Sequence, residues 1–267
     1  MKVAVCLSGQ LRTWKQCYQT WEKLFDELRK SPQFQQEGIV VDYFVHTWDF
    51  NSQPYAIWTK ELWDQGLYDA GFKESPGVPL EQSEIDEYLS VIKPKQFLVE
   101  GAWTSSTRKN HLDDRMIKRM DDTSKWAPIS WSGSQMYSIM MADKLKRDEE
   151  IATGYEYDMC MRMRNDLYFD ENNIKVFCNE FKKPENKKLY SCHSFNTFNF
   201  PHDAVGDIFF YSNSMTFDVV CNTFNYLPQI DPDIFPPDVK VESILAYIVR
   251  MFDIKIHRLK LDPEVRR

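Results

Sequence analysis

The opening of the chain, from Lys2 to Trp48, constrains the fold more than any other stretch. "KVAVCL" is a short unbroken apolar run, the pattern of a strand covered on both faces. After "SGQLR", apolar residues recur at Trp14, Cys17, Tyr18, Trp21, Leu24, Phe25 and Leu28, the three-four spacing of one buried helical stripe. Ser31-Pro32 ends that helix, and "IVVDYFVHTW" is a second strand. Strand, helix and strand at this spacing predict a βαβ unit, hence a parallel sheet with a right-handed crossover.

The remainder continues in the same style. Ser83 is expected to cap a short helix through Ile92, followed by the strand "KQFLVE". Residues 101–128 are polar and aperiodic, which fits either a surface excursion with a helical turn or a lid over a site. A helix is expected over Ser134–Glu150, then the strand "YDMCMRMR", the strands "KLYSCHSF" and "DIFFYSN", and a helix over Asn213–Tyr226. "PQIDPDIFPPD" is a proline-set loop, Asp238 can cap a last helix through Met251, and "IKIHRLKL" closes as a strand. Without repeats or a linker, residues 1–267 are expected to form a single α/β domain.

Composition excludes several classes. Hydrophobic residues make up 43% of 267, too many for a disordered chain. A net charge of −7 argues against nucleic acid as a partner, which calls for a basic field. Aromatic residues reach 15%; most belong in a core, but flat rings also stack on sugars and bases. Six cysteines without a CxxC pair read as buried free thiols. "MKVAVCLSGQ" turns polar too soon for a signal peptide, and no run of about twenty apolar residues spans a membrane, so a reducing, cytoplasmic setting is expected.

In an open α/β sheet, ligands bind beyond the carboxyl ends of the strands. If the strands are parallel, three polar clusters share that edge: "SGQLR", "HTWD" and "RND". In the first, Gly9 lets a ligand approach the backbone, the helix beginning near Thr13 points free amides at the same spot, and Arg12 can clamp a phosphate; a plain strand-to-helix turn is the other reading. It is neither a P-loop nor GxGxxG, which removes the main support for kinases and nicotinamide enzymes. In the second, Trp48 offers a stacking face and Asp49 can accept from sugar hydroxyls, while His46 reads as a structural residue.

The third cluster ends the unusual strand "CMRMRNDLYF". Alternation puts Asp158, Cys160, Arg162 and Arg164 on one face and Met159, Met161 and Met163 on the other. Two arginines projecting from one side call for an anion such as a diphosphate or carboxylate. Asp166, just beyond, can hold a divalent cation or a sugar hydroxyl. An internal ion-pair network through Asp49, Asp166 or Asp207 is the alternative.

The run "QMYSIMMADKLKRDEEIATGYEYDMCMRMRNDLYF" resembles the middle of GT-A-fold glycosyltransferases of the bacterial and viral polysaccharide-type group, which carry a strand of the form YD-x-x-x-R-x-R-x-D-x-x-F. "CLSGQLRTW" and "DYFVHTWD" resemble the group's opening strands, and "GDIFFYSNSMTFDVV" with "PDVKVESILAYIV" its acceptor half. The resemblance implies a GT-A-like, Rossmann-like, mostly parallel central sheet flanked by helices. Residues 1–170 would bind a nucleotide-sugar donor and 171–267 a glycan or polysaccharide acceptor.

By the same resemblance, Ser8, Gly9 and Arg12 line the nucleotide pocket, and Asp166 stands where many such enzymes hold Mn²⁺ or Mg²⁺ through Asp-x-Asp. Here Arg164 replaces the first acid of that motif. Asp207 and Glu242 match positions that face the acceptor, where one carboxylate can act as the base of an inverting transfer. Against these stand plainer roles, a strand-start turn for Asp207 and a favourable helix N-terminal acid for Glu242. His193, His202 and His257 read as structural or surface residues. Two functions remain: a glycosyltransferase, or a catalytically silent nucleotide- or carbohydrate-binding protein with the same fold.

Overall fold

The first strand, β1 (Lys2–Ser8), is buried from Val3 onward on both faces, as its unbroken apolar run requires. A computed structural model describes residues 1–31, 34, 38–51, 78–101, 123–192, 205–230 and 241–266, with the backbone alone for 123–132 and 228. The expected lid (except residues 101 and 123–128), the histidines His193 and His202, most of the proline-set loop and the Asp238 cap lie outside the described residues.

Helix α1 (Trp14–Lys30) buries the stripe read from its spacing, Tyr18 only in part, and leads to β2 (Val40–Trp48), which pairs in parallel with β1 from Lys2↔Val40 to Ser8↔His46. A short antiparallel pair, β3 (Phe50–Asn51) and β4 (Val78–Pro79), precedes α2 (Gln82–Ile92). The cap of α2 is Glu81, in a capping box with Glu84, and Ser83 falls within the first turn. A carboxylate reaches the free amides as well as a hydroxyl does, which explains the shift of start.

β5 (Gln96–Glu100) adds to β2 in parallel. The long helix α3 (Thr123–Thr153) begins eleven residues before the expected Ser134, and β6 (Met159–Arg164) follows, parallel to β1. After β7 (Leu167–Tyr168), Asp170 caps the unanticipated α4 (Glu171–Glu180) by accepting from the Asn173 amide.

β8 (Lys188–Ser191), β9 (Phe209–Ser212) and β10 (Lys255–Arg258) complete the sheet in the order β10-β8-β9-β6-β1-β2-β5. β9 is antiparallel to both of its neighbours, and the other pairings are parallel. A short β11 (Glu264–Val265) pairs with β7. The expected helix over Asn213–Tyr226 divides into α5 (Ser214–Cys221) and α6 (Thr223–Tyr226), with Asn222 between them, and α7 (Val241–Met251) precedes β10. No described helix is long and apolar enough to cross a membrane.

The sheet divides two apolar layers, as the alternation of β6 requires. Met159, Met161 and Met163 join Val3, Val5 and Leu7 against α1, α2 and α4. Ala4, Cys6 and Cys160 face α3, α5, α6 and α7 on the other side. The six cysteines are free, five of them buried. The crossovers β1-α1-β2 and β2-α2-β5 use the first face, whereas β5-α3-β6 uses the second. The chain thus reverses its direction of travel across the sheet between β1 and β6, creating a topological switch point there.

One buried ion cluster ties α3 to α5. Lys146 is fully buried and donates to Ser214 (2.6 Å) and Asp218, with Glu150 at 3.1 Å and Asp143 at 3.4 Å. Burial, against the pull of Lys146 and Arg147, pushes the Asp143 carboxyl up to about 7. In the unfolded chain an aspartate titrates near about 3.9. The fold therefore keeps a proton that the unfolded chain has released, so stability falls as pH rises from about 4 to about 7 and is level above. Asp143→Asn is expected to flatten that part of the profile in denaturant unfolding; an unchanged slope would remove Asp143 as its source.

Candidate functional site

The parallel strands bring Ser8, Trp48, Glu100 and Arg164 to one edge of the sheet. Because β9 runs the other way, the residues just before it lie at that same edge: Phe209 pairs with Met163, and Asp207 stands beyond it. Asp207 is thus a strand-start residue that still joins the carboxyl ends of its neighbours.

The turns at the switch point are stitched together. Gly9 takes φ +115°, a conformation costly to residues with a Cβ, and its amide donates to the His46 carbonyl at 3.3 Å. Its carbonyl accepts from Thr47 Oγ1 (2.9 Å) and from Asn165 Nδ2 (2.8 Å). Tyr88 donates to Asn165 Oδ1 at 2.6 Å. Asn165, fully buried, therefore locks the "RND" turn onto the "SGQ" turn. Its place between Arg164 and Asp166 was the available signal for this role.

Asp166, 1% exposed, accepts from Arg164 through both oxygens, Nε to Oδ1 at 2.7 Å and Nη2 to Oδ2 at 2.8 Å. Arg12 Nη1 approaches Oδ2 at 3.6 Å, and Arg12 Nε donates to Gln10 Oε1 at 2.8 Å. Burial alone would raise the Asp166 pKa, but Arg164 and then Arg12 overcome it and hold the carboxyl below its usual range. Arg164 is likewise raised by Asp166 despite burial.

Arg162 differs from its neighbour. It is 1% exposed, and its Nε and Nη1 have no hydrogen-bond partner among the described residues; nor has the buried Ser8 Oγ. Burial, then repulsion from Arg164, lowers the Arg162 pKa to about 10, with Asp207 acting in the opposite direction. Asp207 is itself buried and accepts from Gln135 Nε2. Asp207 and Glu242 also act on the charge of Arg164, and the Glu242 carbonyl accepts from the Val205 amide at 3.2 Å. Gln135, inside a long helix, carried no sequence signal.

The backbone at Gly206 holds Asp207 in place. A Cβ there would meet Cys192 Sγ at 2.7 Å and the Cys192 carbonyl oxygen at 2.8 Å. The Gly206 amide donates to Ser191 Oγ at 2.8 Å. Gly206→Ala is expected to cost about 1–3 kcal/mol through overpacking. A denaturation midpoint equal to that of the unaltered protein would contradict this close approach.

The "HTWD" cluster is mainly internal. His46 is fully buried, with Nδ1 2.7 Å from Ser138 Oγ and Nε2 2.7 Å from Glu100 Oε2, in line with its structural reading. Trp48 is 4% exposed and stacked on Tyr137, with centroids 6.0 Å apart, so the ring face expected to stack on a base packs inside the protein. Asp49 is exposed at the strand end, its amide donating to the Glu100 carbonyl at 2.8 Å. His257 lies apart on β10, edge-on to Tyr190.

No protein-family model matches the chain, and no curated protein matches it. Ser8, Gly9, Arg12, Arg162, Arg164, Asp166, Asp207 and Glu242 gather around the ends of β1, β6 and β9, whereas Trp48 belongs to the core.

A divalent cation on Asp166 does not fit this arrangement. Both carboxylate oxygens already accept from a guanidinium, and no group of three His, Cys, Asp or Glu able to hold a metal forms among the described residues. The expected Mn²⁺ or Mg²⁺ therefore has no evident donor set here.

Proposed function

We propose that the chain is a glycosyltransferase with a GT-A-like fold, moving a sugar from a nucleoside diphosphate sugar to a glycan or polysaccharide acceptor. The observation that carries this reading is the convergence of Arg12, Arg162 and Arg164 with Asp166, Asp207 and Glu242 at the switch point of a mostly parallel sheet. Departure of a nucleoside diphosphate develops negative charge, and positioned guanidinium groups stabilise it without moving. Asp166 orients two of these groups, so its work is positioning. Residues 1–170 then serve the donor and 171–267 the acceptor. Asp207 or Glu242 takes the acceptor hydroxyl proton if transfer inverts the sugar. The free cysteines support a reducing, cytoplasmic setting.

A second reading, a catalytically silent nucleotide- or carbohydrate-binding protein, is favoured by one observation. Both oxygens of Asp166 accept from Arg164, so this acid is not free to hold a metal. A thermal-shift screen with UDP, GDP, CMP and their sugars, with and without Mn²⁺, coupled to nucleotide release, separates the two. Stabilisation with donor hydrolysis supports the enzyme, and stabilisation without turnover supports the binder. No response to any nucleotide would sink the donor crevice.

A further inference from the structure

Away from the crevice, the outer edge of the sheet carries a cavity. β10, the edge strand, pairs in parallel with β8, so Lys255 stands opposite Lys188 and His257 opposite Tyr190. Alternation puts these four on one face, that of the apolar layer to which Tyr190 belongs. With Lys182, Glu185 and Ile256 they line a cavity of about 230 Å³. β8 and β10 run in the direction of β6, so Lys188 and Lys255 mark the sheet edge opposite the crevice. Three strand spacings of about 4.8 Å also separate β10 from β6.

The floor of the cavity is aromatic and its rim cationic. Tyr190 stacks on Tyr211 with centroids 4.7 Å apart, Tyr211 stacks on Phe181, and His257 closes the row edge-on to Tyr190 at 5.2 Å. The Tyr211 hydroxyl accepts from the Lys182 amide at 3.2 Å, which fixes the chain where that lysine departs. Glu185 is engaged by Lys188 at 2.5 Å and by the Tyr190 hydroxyl at 3.4 Å. No ion pair holds Lys182 or Lys255 among the described residues. Burial, then Lys182 and in the same direction Lys188, lowers the His257 pKa against the pull of Glu180 and Glu185. Lysines on an edge strand also discourage the addition of a further strand. Lys182, however, comes from outside the strands and turns to the same cavity.

We propose that this cavity is a second ligand site, taking the phosphate group of a small phosphorylated molecule. Three ammonium groups against one carboxylate leave two positive charges on the rim, in a chain whose net charge is −7. A phosphate monoester carries about −1.5 to −2 at neutral pH and offers three acceptor oxygens, which matches that surplus. Each ammonium supplies three donors that rotate to meet them. A water takes up about 30 Å³ of the liquid, so the cavity has room for more than a bare phosphate. The rest of the ligand lies against the Tyr190 and His257 rings. The assignment does not rest on the glycosyltransferase reading.

The test is NMR titration of the protein, near neutral pH and at fixed ionic strength, with glucose 6-phosphate, inorganic phosphate, glucuronate and glucose. The His257 imidazole signals, assigned by their loss in His257→Gln, report occupancy. Glucose 6-phosphate is expected to bind at least about tenfold more tightly than glucose, and more tightly than the monoanion glucuronate. Inorganic phosphate should move the same signals but bind more weakly, because it leaves part of the cavity unfilled. With the ester bound, the titration midpoint of His257 should rise, since the phosphate sets negative charge against Lys182, Lys188 and Lys255. Lys182→Gln and Lys255→Gln, both at exposed positions, should each weaken binding about two- to fivefold and leave unfolding unchanged. Equal binding of glucose or glucuronate, inorganic phosphate binding as tightly as the ester, unmoved His257 signals, or an affinity unchanged in both lysine variants overturns the proposal. The nucleotide screen of the crevice stands or falls separately.

Discussion

Asp166→Asn is expected to lower the stability of the fold by about 3–5 kcal/mol, the usual consequence of removing one partner from a buried ion pair. The amide keeps the shape but carries no charge. It leaves Arg164, which had donated to both oxygens, and Arg12 at 3.6 Å without their counter-ion. From the sequence, this substitution would be expected to abolish turnover and leave the fold intact. The burial of Asp166 revises that expectation, since activity and folding now share one residue.

In thermal unfolding the loss corresponds to roughly 6–20 °C for a chain of this size. The acid limb of stability should change with it. A carboxyl held below its usual range contributes stability that is present above about pH 4 and is lost as pH falls through the folded pKa. Asp166→Asn removes that contribution and flattens the acid limb. An unfolding midpoint and acid profile identical to those of the unaltered protein would show that the pair holds nothing together.

Arg162→Met is expected to act with the opposite sign, raising the stability of the ligand-free protein by about 1–4 kcal/mol. The thioether fills similar length beside Cys6 and Phe210, and a buried cation without hydrogen bonds at Nε and Nη1 disappears. Repulsion on Arg164 is relieved as well. Denaturant unfolding of the two proteins without ligand measures the difference. A strongly destabilised variant would mean that Arg162 is part of the structural network, and its role towards the departing nucleoside diphosphate would lose its main support.

Much of the frame was legible before any coordinates. The stripe from Trp14 to Leu28 marked α1, and the alternation in "CMRMR" assigned the methionines and arginines to opposite faces, because both periods are imposed by backbone geometry over neighbouring residues. Helix ends were less legible. The chain uses Glu81 where Ser83 offered a cap and divides the expected Asn213–Tyr226 helix around Asn222, choices made by packing as well as by local chemistry.

The site was readable as a set of residue types and unreadable as a set of partners. "RND" announced a cation pair and an acid, yet only the folded chain decides that Asp166 saturates Arg164 while Arg162 is left with open donors. Trp48 shows the same limit, since its ring meets Tyr137 from a helix about ninety residues away.

By itself the amino-acid order determined the βαβ opening, the two-faced character of β6 and the kinds of charge delivered to one sheet edge. The reversal of β9, which carries Asp207 to that edge, and the pairing of each guanidinium were decided only by the tertiary structure. Periodicity is a property of adjacent residues, whereas strand direction and ion pairing depend on which distant segments compete for the same space.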